Sequence, residues 1–314
     1  MTSRQMLLCM QFTSGYGAEP GAWRLPGVNL SSYTDMDQFV RYAQAAERGK
    51  IQLLFFADTP VLDVDLEDHA PHHPIDPLLV MTAIARETGR IGLVATASTT
   101  FNEPYTLARQ FKALDVISRG RAGWNAVTTS DPAAAANFGR PIPPRAQKYE
   151  RAHEVVQIVQ ALWGSWEKDA WVGDVPGKRF ADMDKIQPVN LQGRHVASRG
   201  PLPIPPSEQG RPVIFQAGGG SYGLELAGRY ADGMYANPHT IEDGQARATF
   251  QACKCPSARI LTVDQCGASH RATTAQLSTR RGSFNEDVPR AYGRPVIRVA
   301  SGRVHQQARS MAAR

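Results

Sequence analysis

From Met6 to Ala236, short apolar runs alternate with longer segments of helical spacing, and this alternation constrains the fold more than any other feature of the chain. Repeated strand-then-helix units require parallel strands joined by right-handed crossovers. Met6 to Met10 reads as a first strand. Met36 to Arg48 follows as a helix with Asp35 placed to cap its first amides, and Ile51 to Ala57 is an apolar strand closed by Asp58. A helix from about Asp76 to Thr88 leads to a third strand, Ile91 to Ser98. The next helix, Pro104 to Ile117, has proline in its first turn, where the missing N–H costs nothing. Ser118-Arg-Gly-Arg-Ala-Gly-Trp-Asn-Ala-Val-Thr-Thr-Ser130 then reads as a fourth strand with a hydroxyl-rich exit, and Tyr149 to Trp163 as its helix.

Residues 164–211 break the period with Trp, Gly, Pro and charged residues, which predicts an insertion over one end of the body. Order returns with a fifth strand, Pro212 to Gly218, a glycine-rich turn, a helix from Leu224 to Tyr230 and a sixth strand, Asp232 to Ala236. Beyond that point no convincing strand–helix pair follows. The expected fold is therefore α/β, a (β/α)8 TIM-barrel type with an insertion after the fourth helix. A chain of 314 residues with 42% hydrophobic content can bury the core of such a barrel, which needs about 250 residues.

The net charge of +6 is unevenly spread. Residues 240–314 hold eleven Arg and one Lys against five acidic residues, a net +7 that leaves −1 for residues 1–239. From 245 to 314 only 11 of 70 residues are Leu, Ile, Val or Phe, below the roughly 20% at which a segment can support a core. The expected division is a barrel domain over 1–250 and a divergent, poorly ordered basic tail over 251–314. The tail's arginines lack aromatic interleaving or a nucleic-acid motif, so no nucleic-acid partner is expected. No run approaches the roughly 18 apolar residues of a membrane span, and the N-terminus lacks a cleavage pattern, so a cytoplasmic protein without membrane contact is expected. Four cysteines without framework spacing suggest reduced thiols, and Cys253-Lys-Cys255 with Cys266 lacks the paired second half of a zinc site.

In a parallel barrel, ligands bind at the carboxyl ends of the strands. Asp58, Thr96, the hydroxyls after Val127 and Gly218-Gly-Gly-Ser221 all fall at such ends. Backbone N–H groups at a glycine-rich helix start suit a phosphate, against the alternative of a turn with no ligand.

Six segments in order carry a family resemblance: Phe55-Phe-Ala-Asp58, Ala95 to Arg109, Ser118 to Ser130, Tyr149 to Glu154 with Leu162 to Trp166, Arg199 to Leu202, and Arg211 to Gly218. The chain resembles the flavin-dependent monooxygenases of the bacterial luciferase superfamily, in the branch of nitrilotriacetate, dibenzothiophene sulfone and long-chain alkane monooxygenases. The resemblance covers roughly residues 6–250. It implies a two-component monooxygenase that takes reduced FMN from a separate NAD(P)H:flavin reductase and uses O2 to oxidise a small organic substrate, commonly as a homodimer. Reduced flavin must have its phosphate fixed and its reacting edge shielded from water.

The resemblance places Asp58 and Thr96 at the flavin ring and Tyr149, Gly220 and Ser221 at the phosphate. Asp58 has an alternative role as a turn cap, and Tyr149 as helix packing. Two positions depart from the pattern. Arg145 stands where relatives usually carry His; it can still pair with a phosphate but cannot handle protons as imidazole does. Gly220 stands where relatives often show the first serine of the turn, leaving Ser221 offset by one. No catalytic side chain and no metal ligand is singled out. His69, His72 and His73 lie among acidic residues in a Pro-rich loop without helical His spacing, and read as a polar active-site rim with a role in substrate selection.

Family members continue for well over a hundred further residues with the last strands of the barrel. The composition change near residue 250 therefore predicts a barrel incomplete at its C-terminal end, by truncation or frameshift. Two alternatives to the monooxygenase remain: a non-catalytic truncated remnant, and a deazaflavin-dependent oxidoreductase of the same superfamily.

Overall fold

The computed structural model describes residues 7–236 apart from 20, 63 and 64, together with residues 240 and 242 and the backbone of 259–262. The strands and helices expected over the body are present in the expected order. They are β1 (Cys9–Met10), α1 (Met36–Arg48), β2 (Leu53–Phe56), α2 (Pro77–Glu87), β3 (Gly92–Ser98), α3 (Pro104–Ile117), β4 (Ala122–Val127), α4 (Pro132–Asn137) and α5 (Arg145–Trp163). After the insertion come β9 (Val213–Gln216), α6 (Ser221–Tyr230), β10 (Gly233–Ala236) and β11 (Arg259–Thr262).

Seven strands form one sheet in the order β1-β2-β3-β4-β9-β10-β11, and every pair is parallel. Alternate residues face opposite sides, so each strand feeds two cores. Leu54, Phe56, Leu93, Ala95, Trp124 and Ile214 pack against the helices in the larger cluster, whereas Leu53, Phe55, Val94, Val213 and Phe215 form a separate cluster on the other face. The sheet curls around this second face. The Phe55 and Tyr235 rings, from strands separated by three others in the sheet, stack with centroids 5.0 Å apart.

The helix starts follow local chemistry. Asp35, Asp76 and Asp131 each accept a backbone N–H from the first turn of α1, α2 and α4, and proline opens α2, α3 and α4. The turn into β4 uses positive φ at Arg119 (56°) and Gly120 (81°), where a Cβ on Gly120 would lie 2.9 Å from the Gln209 amide nitrogen. Arg121, 2% exposed, ties the turn to its surroundings by donating to the carbonyls of Ser118, Ile91, Ala85 and Thr88.

Several elements differ from the sequence expectation. Helix α5 begins at Arg145, directly after Pro144, and α6 at Ser221, because Gly220 takes the capping position. The short helix α4 was not anticipated. The first strand is confined to Cys9–Met10, and Met6 lies outside the described residues. A further strand, β11, extends the parallel register of β10 from Gly233↔Arg259 to Ala236↔Thr262. Apart from that backbone, the expected basic tail and its three cysteines lie outside the described residues.

The insertion contains two antiparallel ribbons, β5 (Trp171–Asp174) with β6 (Arg179–Ala181) and β7 (Leu191–Gln192) with β8 (Ala197–Ser198). It packs along α3 and α5, and its last residues lie against the turn into β4. The Glu154 carboxylate on α5 accepts the amides of Arg194, His195 and Val196, and Trp166 Nε1 donates to Leu202 O at 2.7 Å. At its return, Ser207 and Gln209 hydrogen-bond the buried Asp115 carboxylate, and Lys112 Nζ donates to Gly210 O at 2.6 Å. Arg211 then grips Asp232 with two bonds of 2.9 and 3.1 Å, joining the starts of β9 and β10.

Candidate active site at the strand ends

Because the seven strands of the main sheet are all parallel, the residues that follow or end them share one edge of the barrel. Thr96 in β3 and Asn125 in β4 are register partners on the face that carries Val94. They are 5% and 2% exposed, and Asn125 Nδ2 donates to Thr96 Oγ1 at 2.9 Å. Asn125 Oδ1 is buried with no hydrogen-bond partner. A buried amide oxygen left unpaired costs about 1–3 kcal/mol, so this acceptor is stabilised only when a donor enters the site. Trp124, one residue earlier, faces the other way. Its ring packs on Phe111 and Trp163, and its Nε1 donates to Ala97 O at 3.0 Å.

Beside this pair opens a cavity of about 670 Å³. Asp58, Thr96 and Thr59 line it together with His72, His73 and Asp76, and Leu62, Leu107 and Phe138 supply apolar wall. Burial, then repulsion from Asp76, raises the Asp58 carboxyl to about 6, against the pull of the Thr59 amide. Burial, then His72, lowers His73 to about 4, so its imidazole is neutral at pH 7. His73 sits at a φ of 51°, its N–H bonded to Thr13 O at 3.0 Å and its Nδ1 to Thr59 Oγ1 at 3.0 Å. The Nε2 atoms of both histidines are buried without partners. His69, by contrast, is exposed and does not line the cavity.

The other four expected site residues meet at the starts of α5 and α6. Arg145 Cζ lies 5.4 Å over the Tyr222 ring, and Tyr149 stacks on the same ring at 5.3 Å with an interplanar angle of 21°. A Cβ on Gly220 would overlap Arg145 Nη2. No side chain caps α6, so the amides of its first turn are available at the positive end of the helix dipole. Gln216 at the end of β9 is 3% exposed, with its Oε1 unpartnered next to Gly218. Lys148 Nζ donates to Thr129 O at 2.9 Å and Ser130 Oγ at 2.8 Å, fixing the start of α5 to the exit of β4.

The structure thus gathers Asp58 and Thr96 at the cavity, and Arg145, Tyr149, Gly220 and Ser221 at a cradle on the same barrel edge. Sequence reasoning did not single out Asn125, Gln216 or Thr59 as site residues. The signal for Asn125 was an amide inside the otherwise apolar Ala122–Val127 strand.

The chain is similar to nitrilotriacetate monooxygenase component A of Aminobacter aminovorans, 39% identical over 242 residues, which are 73% of this chain and 53% of the relative. Among solved structures it is similar to the EDTA monooxygenase of Chelativorans sp. BNC1, with a TM-score of 0.77 and 34% identity over 82% of this chain and 64% of that one. A riboflavin lyase solved with modified FMN and riboflavin matches with a TM-score of 0.74 and 28% identity, over 82% of this chain and 62% of that one. The chain spans about half the length of the curated relatives it matches. With strand order, strand-end site and these likenesses in agreement, the match of the family described as luciferase-like monooxygenase to residues 10–257 shows that the chain belongs to that family.

Proposed function

We propose that this chain is the oxygenating component of a two-component monooxygenase that binds reduced FMN and oxidises a small organic substrate with O2. The observation that carries the proposal is that one barrel edge holds both an unpaired buried acceptor, Asn125 Oδ1, and a turn at Gly220 whose space an arginine fills. These features suit the two ends of FMN, a ring with a polar rim and a phosphate. Thr96 and Asn125 would meet the ring's polar rim beside Asp58, while Arg145, Tyr149 and the amides of Gly220 and Ser221 would hold the phosphate.

When bound, reduced FMN supplies the electrons that activate dioxygen. The chain's own residues orient the ring and exclude water. The apolar wall of Leu62, Leu107 and Phe138 shields the cavity, and the neutral His73 and mostly ionised Asp58 offer a substrate one hydrogen-bonding ring nitrogen and one carboxylate. A separate NAD(P)H:flavin reductase would deliver the cofactor, a reading supported by the "component A" in the name of the Aminobacter relative. The same reading includes a homodimer working in the cytoplasm.

Anaerobic titration of the monodisperse full chain with reduced FMN, followed by oxygen-uptake measurements, tests the proposal. Saturable binding that couples oxygen uptake to an added organic substrate is expected. Absence of binding by either redox state of FMN sinks the enzyme reading in favour of a non-catalytic remnant, and preference for a deazaflavin sinks the FMN assignment.

A further inference from the structure

We propose that the cavity of about 670 Å³ takes a substrate anchored by a protonated amine, gripped between the carboxylates of Asp58 and Asp76, and turns away molecules that carry a carboxylate. The inference rests on the reading of this chain as a monooxygenase and names the class of substrate its cavity accepts.

The charge of the lining has one sign. Asp58 and Asp76 both line the cavity, and among the described residues its lining holds no Lys or Arg. Among the described residues neither carboxylate forms an ion pair. Asp58 is half-buried, while Asp76 is exposed. The two lie close enough to repel: burial first, and then Asp76, hold the Asp58 carboxyl up at about 6. Asp76 uses Oδ1 to cap α2, accepting the amides of Leu78 and Leu79 at 2.8 and 3.2 Å, and the cap leaves its Oδ2 unused. An entering cation offsets the repulsion and gives the Asp58 charge a partner.

The unmet hydrogen bonds call for the same kind of ligand. Thr96, in the cavity wall, accepts from Asn125, a side chain 2% exposed whose Oδ1 is buried without a partner. His72 and His73 each bring a buried Nε2 that also lacks one. His73 is neutral at pH 7, and with its Nδ1–H donated to Thr59 Oγ1 its Nε2 presents a lone pair. Asn125 Oδ1, His73 Nε2 in that tautomer and the two carboxylates all accept, whereas a primary ammonium carries three N–H donors and accepts nothing. The hydrocarbon part of such a molecule meets Leu62, Leu107 and Phe138. A carboxylate in the same place would add a third negative charge and find no cation.

The test is isothermal titration calorimetry of the flavin-free full chain at pH 7 with hexylamine, hexanol and hexanoate, which share one skeleton. Hexylamine should bind at least about tenfold more tightly than hexanol, and hexanoate most weakly. Asp58→Asn should weaken hexylamine about tenfold and Asp76→Asn about threefold, the smaller effect of an exposed charge, with hexanol unchanged in both. Asparagine keeps the shape of both side chains and the cap of α2, and thermal unfolding of each variant checks the fold. Hexanol binding as tightly as hexylamine, hexanoate binding more tightly than either, or no binding by any of them overturns the inference. So does an unchanged hexylamine affinity in Asp58→Asn, or equal weakening of amine and alcohol in the variants. Parallel titration with reduced FMN keeps the two readings apart. Amine selectivity in a chain that binds no FMN overturns the flavin reading and upholds the cation site, whereas FMN binding without amine selectivity does the reverse.

Discussion

Asn125→Leu separates a residue kept for binding from one kept for folding. In the ligand-free protein the Asn125 amide makes one hydrogen bond, to Thr96 Oγ1, and leaves its Oδ1 buried and unpaired. Leucine has nearly the same shape and removes both. The lost bond costs about 1 kcal/mol, and Thr96 Oγ1 loses a donor, but removal of the orphan acceptor returns about 1–3 kcal/mol. The net effect on stability is therefore zero or positive. At on the order of 2–4 °C per kcal/mol for a chain of this size class, the melting temperature should stay or rise by a few degrees. FMN affinity should move the other way. Loss of one neutral hydrogen bond to the ring is worth about 1 kcal/mol, a several-fold rise in Kd. Differential scanning calorimetry without flavin and fluorescence titration with it give the two numbers. A melting temperature lowered by more than about 4 °C, corresponding to a loss above roughly 1 kcal/mol, would make the amide a structural group and refute the reasoning. So would an unchanged Kd.

Two further predictions concern pH and packing. Asp58 has its carboxyl raised from 3.8 to about 6, so the folded state holds a proton that the unfolded state releases between those values. Stability should fall as pH rises through that window, and Asp58→Asn should be more stable than wild type at pH 7 and converge with it below pH 4, as followed by thermal unfolding across pH; parallel curves refute it. Arg211→Leu leaves Asp232, 9% exposed at its side chain, buried without its bidentate partner. A loss of about 3–5 kcal/mol in urea unfolding is expected, and a loss near zero would show that the pair is solvated in solution.

The body of the fold was legible because its signals are local. Asp35 and Asp76 cap where they stand, Pro104 opens α3, and the apolar runs of β2 and β3 are too short and too β-branched or aromatic to read otherwise. Helix α4 was missed because six residues, Pro-Ala-Ala-Ala-Ala-Asn, show no amphipathic period. The ribbons of the insertion were missed because both faces of β5 are exposed, so no alternation of polar and apolar residues marks it. At the site, strand-end placement made Asp58 and Thr96 visible, but nothing in sequence separation tells that Thr59 meets His73, 14 residues on, or that Arg145 fills the space of a residue at 220. Such contacts depend on side chains from different units converging, which sequence periodicity does not encode.

The path of the chain between α5 and β9 has an engineering consequence. Helix α5 starts at the carboxyl edge and delivers the chain to the opposite rim, where the insertion departs and where Pro212 takes it back into the sheet; β4 and β9 are already hydrogen-bonded neighbours, with Gly123 opposite Val213. The continuity of the sheet at that seam does not depend on the length of what is looped out, and doubling a loop costs only about 0.6 kcal/mol in closure entropy. The exposed tip at Val175-Pro-Gly-Lys178 is thus a natural splice point, where a reporter domain or a reductase could be fused without disturbing the candidate site on the far rim.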